Sequence, residues 1–164
     1  MAEEIKGKIA RKYLAHYINA TPGGEATYEK LGKDLEEYNT EMNAEIETKS
    51  NILGETSVNL SSYAPQASVE PYYAEKESPL SQFLQDIVDG RKVLDAAKTD
   101  TIEVHTWDGA DGAYVAYRES CIIEVVSYGG DTSGYQIPFN VHYLGDRVKG
   151  TFNPATKTFT PDAA

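Results

Sequence analysis

The sequence predicts a mainly β protein with one α-helix, folded as an antiparallel β-sandwich or barrel. One observation is the strict alternation of apolar and polar residues from Tyr135 to Tyr143, which is typical of a strand with one buried face. A second is the change of period after Pro79, where apolar residues recur at helical spacing. Alternating segments precede and follow this helix, an order that favours an antiparallel sheet with a single helix packed on it.

Length and composition limit the function classes. The 164 residues suit one ordinary domain, and the formal net charge of −11 argues against a protein that grips nucleic acid through basic patches. The single cysteine, Cys121, excludes an intramolecular disulfide and a cysteine-based zinc site, and we expect it to be a small core residue. Neither a signal-peptide pattern nor an apolar run of about 20 residues is visible, so we expect synthesis in the cytosol and no membrane insertion.

The longest regular region lies between Ser127 and Phe152. It begins with a glycine-rich turn cluster and continues as the alternating strand, after which Gly145-Asp146 has the chemistry of a two-residue hairpin turn. We therefore predict a hairpin whose two strands contribute apolar side chains to the core. The residues expected on its buried face are Tyr135, Ile137, Phe139, Val141, Tyr143, Val148, Gly150 and Phe152.

One helix and several further strands are predicted. Ser78 and Pro79 are preferred residue types at an N-cap and a first helical position, and Gly90 is a preferred C-terminal stop, so the flanking helix is expected over residues 78–90. The other predicted strands are Lys12–Ile18, Thr27–Leu35, Glu41–Glu47, Glu55–Leu60, Ala67–Tyr73, Thr101–Trp107 and Ala113–Tyr128.

The predicted strand Glu41–Glu47 has an unusual acidic face. Its apolar residues Met42, Ala44 and Ile46 are expected to face the subunit core. Strands contain few glutamates, so the opposite face either lies in solvent or has a purpose. The segments Met1–Arg11 and Thr48–Gly54 are polar with few apolar anchors, and we predict a loose N-terminal arm and a loop there.

Whole segments of the chain resemble one protein family. The run from Tyr128 to Phe152, YGGDTSGYQIPFNVHYLGDRVKGTF, resembles the C-terminal part of major tail proteins of long-tailed, siphovirus-type bacteriophages, and Tyr28–Glu55 and Ala67–Tyr73 are similar to other parts of them. The resemblance implies a single tail-tube domain over residues 1–164. Such subunits form hexameric rings that stack around a lumen through which DNA passes.

The resemblance also implies roles for particular segments and partners. The acidic face would line the lumen, because carboxylates do not bind the phosphates of passing DNA. The alternative is that this face lies on the outside of the subunit in solvent. Expected partners are further copies of the chain, tail-tip and tail-terminator proteins, and DNA in passage, within the virion tail and with no catalytic residues, metal or cofactor. The lumen-facing residues would be Glu41, Asn43, Glu45 and Glu47. The contacts between rings would be made by Ile5, Ile9, Ile52 and Leu53, which lie in the predicted arm and loop.

Two other function classes have some support in the sequence. The run Asp131–Gly134 matches the active-site loop of aspartic proteases, as in a dimeric, retropepsin-like enzyme, but that chemistry needs two such loops and the chain has one. His16, His105 and His142 each alternate with apolar residues, so they are expected to point outward and not to form a metal site. A carbohydrate- or receptor-binding sandwich is the other alternative, although the tyrosines are spread along the chain.

Overall fold

The structure is a computed structural model and describes residues 6–162. Over this range it is mainly β with a single α-helix and a curled antiparallel sheet, which confirms the predicted fold class. The helix α1 spans Pro79–Gly90, and short 3₁₀ turns lie at Arg11–Tyr13 and Leu94–Ala97. The strands are β1 (Leu14–Asn19), β2 (Tyr28–Leu31), β3 (Thr40–Glu41), β4 (Ala44–Ser50), β5 (Thr56–Tyr63), β6 (Gln66–Val69), β7 (Lys98–Ala110), β8 (Ala113–Val125), β9 (Gly129–Asp131), β10 (Gly134–Gln136), β11 (Phe139–Tyr143), β12 (Val148–Asn153) and β13 (Thr158–Pro161).

The main sheet has nine strands. Seven lie in the order β2-β1-β7-β8-β11-β6-β3, and β12 adds to β8 and carries β13 on its other side. All of these pairs are antiparallel. The two remaining pairs, β4–β5 and β9–β10, form separate two-stranded sheets.

Apolar clusters cover both faces of the centre of the main sheet. In β1, Ile18 belongs to the larger cluster, whereas Ala15 and Tyr17 belong to the smaller one on the opposite face. The larger cluster contains the apolar side of α1, including Leu80 and Leu84. The smaller cluster is closed by side chains from β2, β12 and β13. Because both faces are covered, β1 is buried along nearly its whole length.

Helix α1 begins after the predicted N-cap Ser78 and ends at Gly90, the last residue of the predicted range. The Oγ of Ser78 accepts a hydrogen bond from the Ser81 N–H at 3.4 Å, and the Glu29 carboxylate accepts bonds from the Ser78 hydroxyl at 2.7 Å and the Leu80 N–H at 3.0 Å. A carboxylate at this end is favoured by the helix dipole. At the other end Gly90 stays helical, and Arg91 takes the left-handed conformation with φ of 48°.

The predicted hairpin at Gly145-Asp146 is wrong. Strands β11 and β12 both pair with β8, with Val141 opposite Ile123 and Thr151 opposite Val115, so they follow one another along the same partner. The connecting residues bond to β8 as well, since Asp146 Oδ1 accepts from the Ser120 N–H at 2.8 Å. The 13 residues of β8 provide a backbone edge long enough for both strands, which satisfies their hydrogen bonds inside a larger sheet.

The long alternating strand is divided in two. Strand β10 pairs with β9, and β11 joins the main sheet, with a break at Pro138, which has no N–H for a ladder bond. Ile137, Phe139 and Val141 are buried as predicted. Tyr135 is 41% exposed, because it belongs to the small sheet beside the core. The predicted burial of Val148 is also wrong, whereas that of Phe152 is confirmed.

A matched pair of leucine variants tests this division between core and surface. We expect Leu84→Ala to lower the free energy of unfolding by about 2–5 kcal/mol, because Leu84 is completely buried under the sheet. Leu53→Ala removes the same atoms from an exposed side chain and should change stability by no more than about 0.5 kcal/mol in the free subunit. Urea denaturation of both variants measures the difference, and equal losses would contradict the described packing.

Candidate functional site

The β4–β5 hairpin is the most solvent-exposed part of the described chain. Every residue of both strands is exposed, and the two strands are hydrogen-bonded to each other apart from the main sheet. A two-stranded hairpin of this kind is marginally stable by itself in water. It is joined to the body at its base, where the Ala64 N–H donates to the Met42 carbonyl at 3.1 Å.

The hairpin has one apolar and one polar face. Ile46 lies opposite Leu60, and cross-strand partners project to the same face of a ladder. Glu47 lies opposite Asn59 on the other face. A bulge shifts the register between Glu45 and Ile46 and brings Tyr63 opposite Ala44. The apolar face therefore consists of Ala44, Ile46, Val58, Leu60 and Tyr63, with Thr48, Ser50 and Thr56 on the same face toward the tip. The polar face consists of Glu45, Glu47, Lys49, Ser57, Asn59 and Ser62.

The prediction that Met42, Ala44 and Ile46 face the subunit core is wrong. All three are exposed, and Ile46 retains 59% of its accessible surface. The alternation is real, but it belongs to a ribbon that leaves the main sheet between β3 and β4. Asn43, with φ of 48°, makes this break, and its amide donates to the Ala64 carbonyl at 3.1 Å.

The four predicted lumen residues are divided between two strands. Glu41 ends β3 and pairs with Gln66 in the main sheet, and Asn43 lies in the break. Glu45 and Glu47 share the polar face of the hairpin. The structure thus brings two of the four together on one surface, and that surface is directed away from the apolar face. Whether all four line a lumen stays a prediction.

The hairpin tip replaces most of the predicted loop at Thr48–Gly54. Residues 48–50 extend β4, because their partners in β5 continue the ladder as far as Ser50 opposite Thr56. Asn51 organises the remainder: its Oδ1 accepts from the Leu53 N–H at 2.9 Å and the Glu55 N–H at 3.0 Å. This ordered turn leaves Ile52 102% exposed and Leu53 76% exposed.

The other predicted ring-contact residues lie near the N-terminus. Ile9 is exposed, and Ile5 lies outside the described residues. The predicted arm reached Arg11, but this residue is held in place: its guanidinium donates to the Leu14 carbonyl at 2.7 Å and to the Tyr38 carbonyl at 2.9 Å. Any arm that contacts a neighbour is therefore anchored at residue 11.

His16 contradicts the prediction that all three histidines point outward. It is buried because β1 is covered on both faces, and its ring packs 4.4 Å from the Tyr38 ring. Burial lowers the pKa of His16 to about 4; the nearby Glu103 opposes this shift, and Arg11 and His105 add to it. The imidazole is consequently neutral at neutral pH. Arg11 Nη2 lies 3.3 Å from its Nε2.

The described residues do not assemble the other candidate chemistry. The Asp131–Gly134 segment is the exposed turn between β9 and β10, where Asp131 Oδ1 accepts from the Ser133 N–H at 2.8 Å, as in an ordinary Asx turn. Across residues 6–162, no group of three or more His, Cys, Asp or Glu side chains could hold a metal ion. Cys121 is buried, as predicted, and burial raises the pKa of its thiol. Within the same range, no helix has the length and apolar character needed to cross a membrane.

Comparisons with known proteins find similarity in structure but not in sequence. No family model matches the chain, and no curated protein matches its sequence. Among solved structures, it is similar to the cryo-EM structure of the anti-feeding prophage cap, described as the tube terminating cap, with a TM-score of 0.49 and 10% identity. The similarity covers 90% of this chain and 93% of that one, at a level too low to carry a functional argument.

The burial of His16 predicts a pH dependence of stability. The unfolded chain binds a proton on this residue below its usual pKa of 6.5, whereas the folded chain does so only near pH 4. Stability from this group is complete above pH 6.5 and is lost as the pH falls toward 4, by up to about 3 kcal/mol. His16→Gln should therefore lose less stability than the parent between pH 7 and pH 4.5 in urea denaturation.

The matched control for this experiment is His142→Gln. His142 is an exposed histidine outside the His16 environment and contacts the Glu124 carboxylate at 3.0 Å. We expect this variant to retain the contribution of His16 to the pH profile. If His16→Gln and His142→Gln have identical profiles, the described burial of His16 is wrong.

Proposed function

We propose that the protein is a structural subunit of a phage tail tube, which assembles through the β4–β5 hairpin into hexameric rings stacked around a DNA-conducting lumen. The observation that carries this proposal is the apolar face of the hairpin, which is exposed on a chain whose remaining sheet has a complete core. The resemblance of Tyr128–Phe152 to major tail proteins supports it.

The energetics favour coverage of the hairpin by other copies. Burying a large apolar side chain yields about 1.5–3 kcal/mol, and the free subunit leaves Ile46, Val58 and Leu60 in solvent. Among residues 6–162, no strand lies beside the outer edges of β4 and β5, and backbone groups exposed at such edges favour pairing with another chain. A closed ring of subunits removes such edges, as closure of a barrel does.

The proposed work of the protein is geometric rather than catalytic. A binding module would be expected to offer a concave patch with exposed aromatic rings. The hairpin instead is a ribbon with Tyr63 as its single aromatic residue, and a ribbon is suited to insertion between neighbours. In a virion tail, the two ends of such a tube would be closed by tail-tip and tail-terminator proteins.

The proposed lumen explains why the polar face of the hairpin is acidic. If the apolar face packs on neighbouring subunits, Glu45 and Glu47 project from the opposite side of the ribbon. Carboxylates cannot replace the cations condensed on DNA, so an acidic wall lacks the counterion release that drives DNA onto a basic surface, and DNA would slide along it without binding. With Glu41 and Asn43 these residues form the proposed lumen surface.

A substitution on each face of β5 tests the assembly proposal. We expect Val58→Asp to prevent ring and tube formation, because it places a charge in the interface that the apolar face would form. Asn59→Asp introduces the same side chain on the polar face and should leave assembly intact. Negative-stain images and sedimentation of the purified proteins distinguish the two results. An unmodified chain that stays monomeric at high concentration would contradict the proposal, as would normal tubes from Val58→Asp.

Charge reversal tests the proposed lumen surface. Replacing Glu41, Glu45 and Glu47 with lysine should permit tube assembly but slow DNA ejection, most strongly at low salt, because the wall would then attract phosphates. A variant with lysine at Glu25, Glu36 and Glu77, three exposed positions outside the hairpin, makes the same change of net charge. DNA release from assembled particles is the measurement. Equal release rates for the two variants would show that the acidic residues lie elsewhere than in the lumen.

A further inference from the structure

A second exposed apolar surface lies at the end of helix α1. It is a groove of about 670 Å³ between the C-terminal end of α1, the 3₁₀ turn at Leu94–Ala97 and the last part of β8. Its most exposed apolar lining residues are Val93 at 68% and Leu94 at 79%, and Val126 and Tyr128 are exposed on the other side. An apolar groove with this much exposed surface marks a site of interaction.

The backbone at the groove is held in a costly conformation. Leu94 has φ of 56° and Arg91 has φ of 48°, a left-handed region in which side chains other than glycine are uncommon. The cost is about 1–2 kcal/mol for such a residue. Leu94 therefore combines a strained backbone with an apolar side chain in water. Outliers of this kind are found at functional sites, and coverage of the side chain would offset the cost.

The groove also has a local charge opposite to that of the molecule. Arg91 and Lys92 lie next to each other on its rim, in a chain with 15 basic and 26 acidic residues. The Arg91 guanidinium is 5.6 Å from the Tyr128 ring and donates to its hydroxyl at 3.2 Å. Glu124 lies on the opposite wall of the groove, and its carboxylate accepts a hydrogen bond from the Asn140 side-chain amide at 2.8 Å. The rim accordingly favours an apolar segment that carries a negative charge.

The hairpin tip has the complementary properties. Ile52 and Leu53 are consecutive aliphatic residues, as Val93 and Leu94 are, and both are directed into solvent. Glu55 follows them, with its carboxylate beside the tip through a 2.9 Å bond from the Asn51 amide. Since Ile52 is fully exposed, the tip does not occupy the groove of its own chain.

We propose that the groove receives the hairpin tip of a second copy of the chain, so that Ile52 and Leu53 pack against Val93 and Leu94 while Glu55 approaches Arg91 and Lys92. This inference rests on the proposed function and names the acceptor surface of the tip. The donor and acceptor surfaces are different parts of the chain, so the contact is heterologous. A heterologous contact closes into a ring or continues as a filament, whereas a self-complementary contact would stop at a dimer.

Cysteine cross-linking tests this contact directly. A Leu53→Cys chain and a Val93→Cys chain are mixed, assembled and mildly oxidised, with the native Cys121 retained because it is buried. We expect a disulfide-linked dimer that contains one copy of each variant. A Leu53→Cys chain mixed with a Thr156→Cys chain, whose cysteine lies at an exposed position away from the groove, should give no such dimer above background.

A charge exchange provides a second, independent readout. Lys92→Glu should raise the concentration needed for assembly by about tenfold, the effect of losing one favourable charge contact of about 1.4 kcal/mol. Adding Glu55→Lys to the same chain should recover most of the loss, because the two charges are then exchanged. Glu55→Lys alone should impair assembly as Lys92→Glu does.

The outcomes separate this inference from the proposed function. Tubes that form without the 53–93 disulfide overturn the docking contact and leave the tail-tube proposal standing. An unmodified chain that forms no tubes overturns both. If Val93→Cys instead links to an Ile9→Cys chain, the groove belongs to the N-terminal segment of a neighbour, and the tip is not its occupant. Failure of the double charge variant to recover assembly also counts against the contact.

Discussion

The long strand β8 is the element on which the rest of the fold depends. Its first half pairs with β12 and its second half with β11, while β7 runs along its other edge. Its side chains enter both apolar clusters, through Ala116 on one face and Ile123 on the other. Since β12 and β11 are aligned by the same strand, Phe152 of β12 enters the smaller cluster and Val141 of β11 enters the larger cluster on the opposite face of the sheet.

A complete core around β8 leaves the β4–β5 hairpin unneeded for folding of the body. The main sheet ends at the two-residue strand β3, and the chain then leaves through Asn43 and returns at Ala64. Between these points β4 and β5 bond to each other, and none of their residues is buried in the core. In the proposed assembly its apolar face would make the contacts between chains, so stability and assembly would depend on different parts of the sequence.

The sequence predicted the type of most elements better than their pairing, although it missed the short strands β9 and β13. Alternation identified the buried residues Ile137, Phe139 and Val141, and the capping residues identified α1, because these signals are local. Strand β12 pairs with β8 and not with β11, because β8 is long enough to hold both strands. The residues of the turn at Gly145 carry no information about the length of β8. His16 was misplaced for a related reason, since alternation predicts one buried face and β1 has two.

The error at Ile46 has the most bearing on function. Alternation reports that a face will be removed from water, but it does not say whether the covering surface belongs to the same chain or to another. Part of each predicted face lies on β4, Glu45 and Glu47 on one side and Ala44 and Ile46 on the other, yet the apolar side remains in solvent in the single subunit. A strand that forms an interface needs the same alternation of apolar and polar residues as a core strand, but its apolar face must lie outside the core of its own chain. In the proposed assembly, association would also have to overcome repulsion between subunits of net charge −11, which salt screens beyond about 8 Å. The apolar face and the cationic rim of the groove are the surfaces proposed to supply the attraction between such acidic subunits.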